Sequence, residues 1–320
     1  VFRILLKKYA SDSWLLLLCS SIILLMFTWI RIWTVSQFEL SGFLPLIEQF
    51  RAFERFSPVP LTQYLTYEGV IGLSFAEPIL ILCILTWSIS RGTDVVSGEL
   101  NRGTMEMLLA QPVRRSQLIL AHALVCTTGL SILCLATYLG IVAGVFTNST
   151  LVTHYPASMS VLGLEVSPFW SEPVKQMTPL NELVDVRYYI APTVNLFALG
   201  FFVMALSVLI SSLDQYRWRS IGIVIGIYIL QALLFALGKS TAATKFLLFF
   251  TFISAYQPDW MVQAVSSLGI SATSLWSKSG HWPGFQFGPA GYSLFLIGMG
   301  LIAYAVALRC FARRDLPAPL

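Results

Sequence analysis

Charge is scarce in this chain. Asp, Glu, Lys and Arg make up 11% of its 320 residues, against roughly 25% in soluble domains. With 56% hydrophobic residues and a mean hydropathy of +0.75, that shortage excludes a water-soluble enzyme and a disordered chain. Cysteine is also sparse. Cys19, Cys83, Cys126, Cys134 and Cys310 form no CxxC pair, and the first four lie in apolar stretches. They read as small buried hydrophobes rather than redox or metal ligands. There is no HExxH or GxSxG signature and no 20–50-residue repeat. The net charge of +4 is small and its basic residues are spread along the chain, which argues against a nucleic-acid partner.

What is present is a series of long apolar runs. A bilayer core needs roughly 20 apolar residues in helical form, because a helix satisfies its backbone polar groups internally. Six stretches qualify, at about residues 13–33, 69–90, 117–146, 188–213, 219–238 and 290–309. The N-terminal run has no small-residue cleavage pattern and reads as a retained span. The expected fold is an all-α membrane protein, one transmembrane domain over residues 1–320. A seventh run, Phe246 to Gln257, is too short to cross and is stopped by Pro258 and Asp259. It fits a re-entrant segment before the sixth span.

Lys and Arg set the orientation. With the N-terminus inside, the inside pieces hold twelve: Arg3, Lys7, Lys8, Arg91, Arg102, Arg114, Arg115, Arg217, Arg219, Arg309, Arg313 and Arg314. The longer outside pieces hold eight: Arg31, Arg51, Arg55, Lys175, Arg187, Lys239, Lys245 and Lys278. Both termini are therefore expected in the cytoplasm, as an even number of spans requires. The expected external loops are 34–66, 147–187 and 239–289. In the first, Leu40, Phe43, Leu44, Ile47, Phe50 and Phe53 recur at helical spacing, the pattern of an amphipathic surface helix. The second carries His154, Glu165, Glu172, Glu182 and Asp185, and is long for a bundle connection.

The cytoplasmic piece 91–116 reads RGTDVVSGELNRGTMEMLLAQPVRRS. Gly98 and Gly103 allow tight bends. Thr104 can cap a following helix, with Glu106 in its first turn. Met105, Leu108 and Leu109 give that helix an apolar stripe, and Pro112 stops it. A plain connector needs only a few residues. A capped, two-faced helix needs a partner, either headgroups or another protein.

Gly98-Glu99, Arg102-Gly103-Thr104, Glu106, Leu108-Leu109, Pro112-Val113 and Arg115 together resemble the signature of ABC-2-type permeases. These are the membrane subunits of ATP-binding-cassette transporters, mostly exporters. Position between the second and third spans matches, as does the six-span layout. Where that family often has Gly-Lys after the signature, this chain has Ala121-His122. The resemblance implies that 91–116 contains a coupling helix docking on a cytoplasmic ABC ATPase. Gly98, Glu99, Arg102, Gly103, Thr104, Glu106, Leu108, Leu109, Pro112, Arg114 and Arg115 would form the interface. It implies a second permease copy, identical or similar, in the plasma membrane, with ATP and Mg held by the ATPase and no cofactor here. It also likens Val1 to Ser11 to an amphipathic interface helix.

The chain has no nucleotide site of its own. Gly238-Lys239-Ser240 ends like a phosphate loop, but Leu233 stands where the first glycine is required. Glu77, followed by Pro78, is the one acid inside a span. It suggests either a pathway group in a secondary transporter or channel, or an acid near the outer headgroups. A membrane enzyme acting through the acids of the second external loop is a third reading. His122 and the many Trp and Tyr residues, including Trp87 and Tyr189, read as packing and interfacial anchors. Gly222, Gly226, Gly298 and Gly300 read as close-packing positions.

Overall fold

A computed structural model describes residues 2–38, 66–109, 114–154, 159–161, 164–166, 174–277 and 286–313. The amphipathic helix expected within 34–66, Pro112, Glu172 and Arg314 lie outside the described residues, as do the side chains of Glu106, Leu109, His154 and Glu165. Six helical units are long and apolar enough to cross a membrane.

The first is α1, Phe2–Ser36, an unbroken helix of 35 residues, about 52 Å long. The segment before Ser13 is therefore not a separate interface helix. It continues the span, because Leu5, Tyr9, Ser13, Ser20, Leu24, Thr28 and Ile32 form one buried stripe. The stripe packs on α5, Arg115–Thr147. There Gly140 and Gly144 face Thr28 and Ile32 so closely that an added Cβ would collide, the small-residue contact that lets membrane helices approach.

The second unit is composite. Thr66 caps α2, Tyr67–Gly72, by accepting from Gly69 N. A 3₁₀ turn, Leu73–Ala76, leads to an extended Glu77, and Pro78 then opens α3, Pro78–Thr93. Proline is suited to a first helical position, so the helix stops and restarts where the sequence suggests a kink. A π-helical turn, Asp94–Gly98, and one α-turn, Glu99–Asn101, follow. The short α4, Met105–Leu109, comes next.

After α5 the chain is not all helical. Strand β1, Ser149–His154, pairs antiparallel with β4, Val174–Pro179, and β2, Met159–Val161, with β3, Leu164–Val166. Val and Thr recur in β1 and β4 and suit a pleated surface. The one-turn α6, Leu180–Leu183, and a 3₁₀ turn, Val186–Tyr189, lead into α7, Ile190–Leu213. This helix is the hub, packed against α3, α5, α8 (Arg217–Ser240), α9 (Pro258–Ser266) and α10 (Pro289–Arg313). Helix α8 buries only Ser220, Val224 and Gly238. Gly222, Gly226 and Gly298 meet nothing, whereas Gly300 abuts Phe201 and Phe202. Trp87 and Tyr189 belong to the core rather than to an interface. Trp87 Nε1 donates to Cys126 O at 3.1 Å, and Tyr189 OH to Glu68 O at 3.0 Å.

Two 3₁₀ helices, Ala242–Phe250 and Phe252–Ala255, fill the space between α8 and α9. Pro258 and Asp259 do not merely end the seventh apolar run. They form the first turn of α9. Three helices clamp this segment. Thr251 Oγ1 donates to Gln231 O at 3.1 Å and Phe252 N to Gln231 Oε1 at 3.2 Å. Asn195, fully buried in α7, donates to Ala255 O at 3.1 Å and accepts from Gln257 N at 3.2 Å. Tyr256 OH donates to Phe75 O at 2.6 Å, in the turn before the break at Glu77.

Candidate functional site

The first turns of α1, α5 and α8 meet the last turns of α3, α7 and α10 at one end of the bundle. Contacts between distant parts of the chain define this end. Arg91 Nη1 donates to Asp12 O at 3.2 Å, Arg217 Nη2 to Ser90 O at 3.3 Å, and Arg115 Nη1 to Phe311 O at 3.3 Å.

Two carboxylates organise it. Asp94 begins the π-turn, and its Oδ1 lies 2.9 Å from Arg102 Nη1 and 3.4 Å from Arg217 Nη1. Its Oδ2 lies 3.8 Å from Arg91. Glu99 follows the turn, and its side chain is 2% exposed. Its Oε1 accepts from Lys8 Nζ at 2.7 Å and Arg102 Nη2 at 3.1 Å, and its Oε2 from Thr104 Oγ1. Arg102 thus bridges both acids. Four cations surround two anions, joining α1, α3, α8 and the turn that leads into α4. Nearby, Arg219 forks onto Asp214 with both contacts at 2.6 Å. That guanidinium holds the Asp214 carboxyl below its ordinary range.

The glycines of the segment have distinct reasons. A Cβ at Gly98 would strike Asp94 Oδ1. Gly103 has φ +70° with open space around it, so its need is conformational. Thr104 stands at the start of α4 and its carbonyl accepts from Leu108 N at 3.2 Å. Its hydroxyl, however, turns back to Glu99 instead of capping an α4 N–H. Met105 is buried and Leu108 half-buried, so the chain itself covers part of the expected stripe. Met107 is left 66% exposed. Arg114 N donates to Gln117 Oε1 at 3.2 Å, closing the first turn of α5. Arg115 lies 5.9 Å from the Phe311 ring centre.

Glu77 is far from this cluster along the helix. Arg31 Nε donates to its Oε1 at 3.1 Å. His122 is buried edge-on to Tyr9, with ring centres 5.0 Å apart, and its Nε2 is 3.4 Å from Cys126 Sγ. Among the described residues no group of three or more His, Cys, Asp or Glu could hold a metal ion.

Lys8, Arg91, Asp94 and Arg217 belong to the cluster but are absent from the set expected from sequence. Two acids interleaved with two bases, Asp94 and Glu99 with Arg91 and Arg102, are the one hint the sequence carries. Ion pairs and hydrogen bonds of this kind hold side chains and the segments that carry them in position.

Residues 10–316 match a family described as ABC-2 family transporter protein. No curated protein matches the chain.

Proposed function

The chain belongs to the ABC-2 transporter family, and on that premise we propose that its basic end is the cytoplasmic coupling end of an ATP-driven exporter. As a family member it is a membrane transport component of an ABC transporter, a class that works with ABC ATPase partners. The finer reading is that α4 seats on a separate ATPase subunit. Nucleotide-driven closure of two such subunits would push α4 and, through the Asp94–Glu99 cluster, tilt the bundle. A second copy of this chain or a similar permease completes the unit.

One observation carries the reading. A short helix stands beyond the end of the second span, preceded directly by the Glu99–Arg102 ion pair, with Met105 buried and Met107 exposed. The basic side chains support a cytoplasmic placement of that end, since Arg3, Lys7, Arg114 and Arg313 share it with the cluster. The outer segment supports a re-entrant reading. Gln231 lies fourteen residues beyond Arg217 in α8, about 21 Å along the axis. Asn195 lies eighteen residues before Leu213 in α7, about 27 Å. A core of about 30 Å beginning at those helix ends would contain the 251–257 backbone, and such backbone is tolerated there only when protein groups satisfy it. Gln231 and Asn195 supply that service.

The secondary-transporter reading stands second. Arg31 neutralises Glu77 at the helix break, which weakens its claim as a free carrier of charge. Nothing observed favours the membrane enzyme.

The test is a photocrosslinking residue at Met107 in the intact complex, with one at Leu151, at the other end of the bundle, as control. Crosslinks from position 107 to a co-purifying ATPase, and none from position 151, are expected. Crosslinks from 107 to lipid alone, or its labelling from outside the cell, would end the proposal.

A further inference from the structure

The hydroxyl of Ser211 sits inside the hydrogen-bond ladder of another helix. In an α-helix, Ser97 N would donate to Thr93 O. Instead Ser97 N donates to Ser211 Oγ at 2.9 Å, and Ser211 Oγ donates to Thr93 O at 3.0 Å. Val96 N also points at this oxygen, at 3.3 Å. Ser97 Oγ lies 3.0 Å from it and donates to Thr93 O at 2.8 Å. All of these groups are buried. A side chain inserted into the ladder opens it locally, and the opened stretch is the π-turn Asp94–Gly98. The reach is possible because α3 and α7 nearly touch there. A Cβ at Gly92 would collide with Ser207 Cβ and Met204 O.

We infer that Ser211 is a positioning residue: its hydroxyl wedges the π-turn open and so sets the rotation of the coupling segment relative to α7. The inference rests on the coupling role proposed above. The geometry gives it content. A π-turn holds one residue more than the α-turn it replaces, so closing it rotates everything after Gly98 by about 100°. Arg102 then leaves Asp94, and Glu99 leaves Lys8. Withdrawal of one hydroxyl by a small slide of α7 would therefore re-aim Arg102, Thr104 and α4 together. Movement of α4 would conversely pull on the hub helix of the bundle.

The experiment places spin labels at Met107→Cys and Trp218→Cys, both well exposed, in a background with the other cysteines replaced. The labelled permease is studied alone and with its co-purified ATPase in nanodiscs. Alone, the Ser211→Thr variant is expected to keep the parent distance. Ser211→Ala is expected to add a second, displaced population. Ser211→Val, isosteric with the threonine variant but lacking its hydroxyl, should match the alanine variant and serves if that variant does not fold. In the complex, trapping with ATP and vanadate should shift the parent distance and leave the alanine variant unmoved, with ATPase retention unchanged. An unaltered distance in the alanine variant alone overturns the wedge. A displaced distance that still responds normally to trapping overturns its part in coupling. Failure of the parent to retain any ATPase sinks the coupling proposal itself, while the measurement on the permease alone still decides the wedge.

Discussion

Replacing Glu99 by Gln removes one charge from the centre of the latch and changes almost nothing in shape. Lys8 and Arg102 then face a neutral amide at the position where they held a carboxylate at 2.7 and 3.1 Å. Removing one partner of a fully buried pair costs roughly 3–5 kcal/mol. Here Lys8 and Arg102 are 32% and 42% exposed, so water recovers part of their charge, and exposed pairs contribute only about 0–1 kcal/mol. Between these limits the docked N-terminal turns of α1 lose about 2 kcal/mol. That is roughly 30-fold in the population of undocked chain. The assay is thiol accessibility at Leu5→Cys, a buried position, in a background with the native cysteines replaced. Labelling should quicken about 30-fold with Glu99→Gln. Lys8→Met should have a smaller effect, and the two together should fall short of additive. Labelling within twofold of the parent, or strict additivity, would refute the idea that this pair holds the helix.

Three further outcomes are expected. Gly140→Leu drives a side chain into Thr28 and the Leu25 backbone; by overpacking it should cost about 2 kcal/mol or more, read as loss of the monodisperse fraction on size-exclusion chromatography. Asn195→Leu strips the partners from Ala255 O and Gln257 N, and should raise hydrogen exchange across 251–257 roughly tenfold or more, leaving α5 unaffected. The Arg219 guanidinium lowers the pKa of Asp214 in the folded state. The stabilisation is therefore full above the ordinary carboxylate value of about 4 and disappears as pH falls through the lower folded value. Asp214→Asn should weaken thermal resistance at pH 7 and make progressively less difference as pH falls below about 4, measured by differential scanning calorimetry.

The span count was legible because a bilayer demands long apolar runs, and nothing else in a sequence resembles them. Gly103 was legible for the same kind of reason, since a bend needs a residue tolerant of positive φ. The latch was less so. Lys8 and Glu99 are 91 positions apart, and no local rule pairs them. Thr104 fits a cap by position, yet the nearby carboxylate of Glu99 outcompetes the backbone for its hydroxyl. Trp87 resembles an interfacial anchor in sequence, but the close approach of α5 at Gly129 buries its ring. The π-turn had no signature, because a serine on another helix creates it. The strands between α5 and α7 were hidden by their brevity and by the polar residues around them.

Among the described residues α1 makes two ion pairs to the second helical unit, and they have a joint effect. Lys8 grips Glu99 and Arg31 grips Glu77, both in the second helical unit. The gripping residues are separated by twenty-three positions on one helix and the gripped ones by twenty-two on its antiparallel neighbour. The rods are thus pinned near both ends at matching intervals of about 33–35 Å. One cannot glide along the other without breaking both pins at once. While both pins hold, the two rods travel as a single beam, and closing the π-turn frees that beam at its Glu99 end.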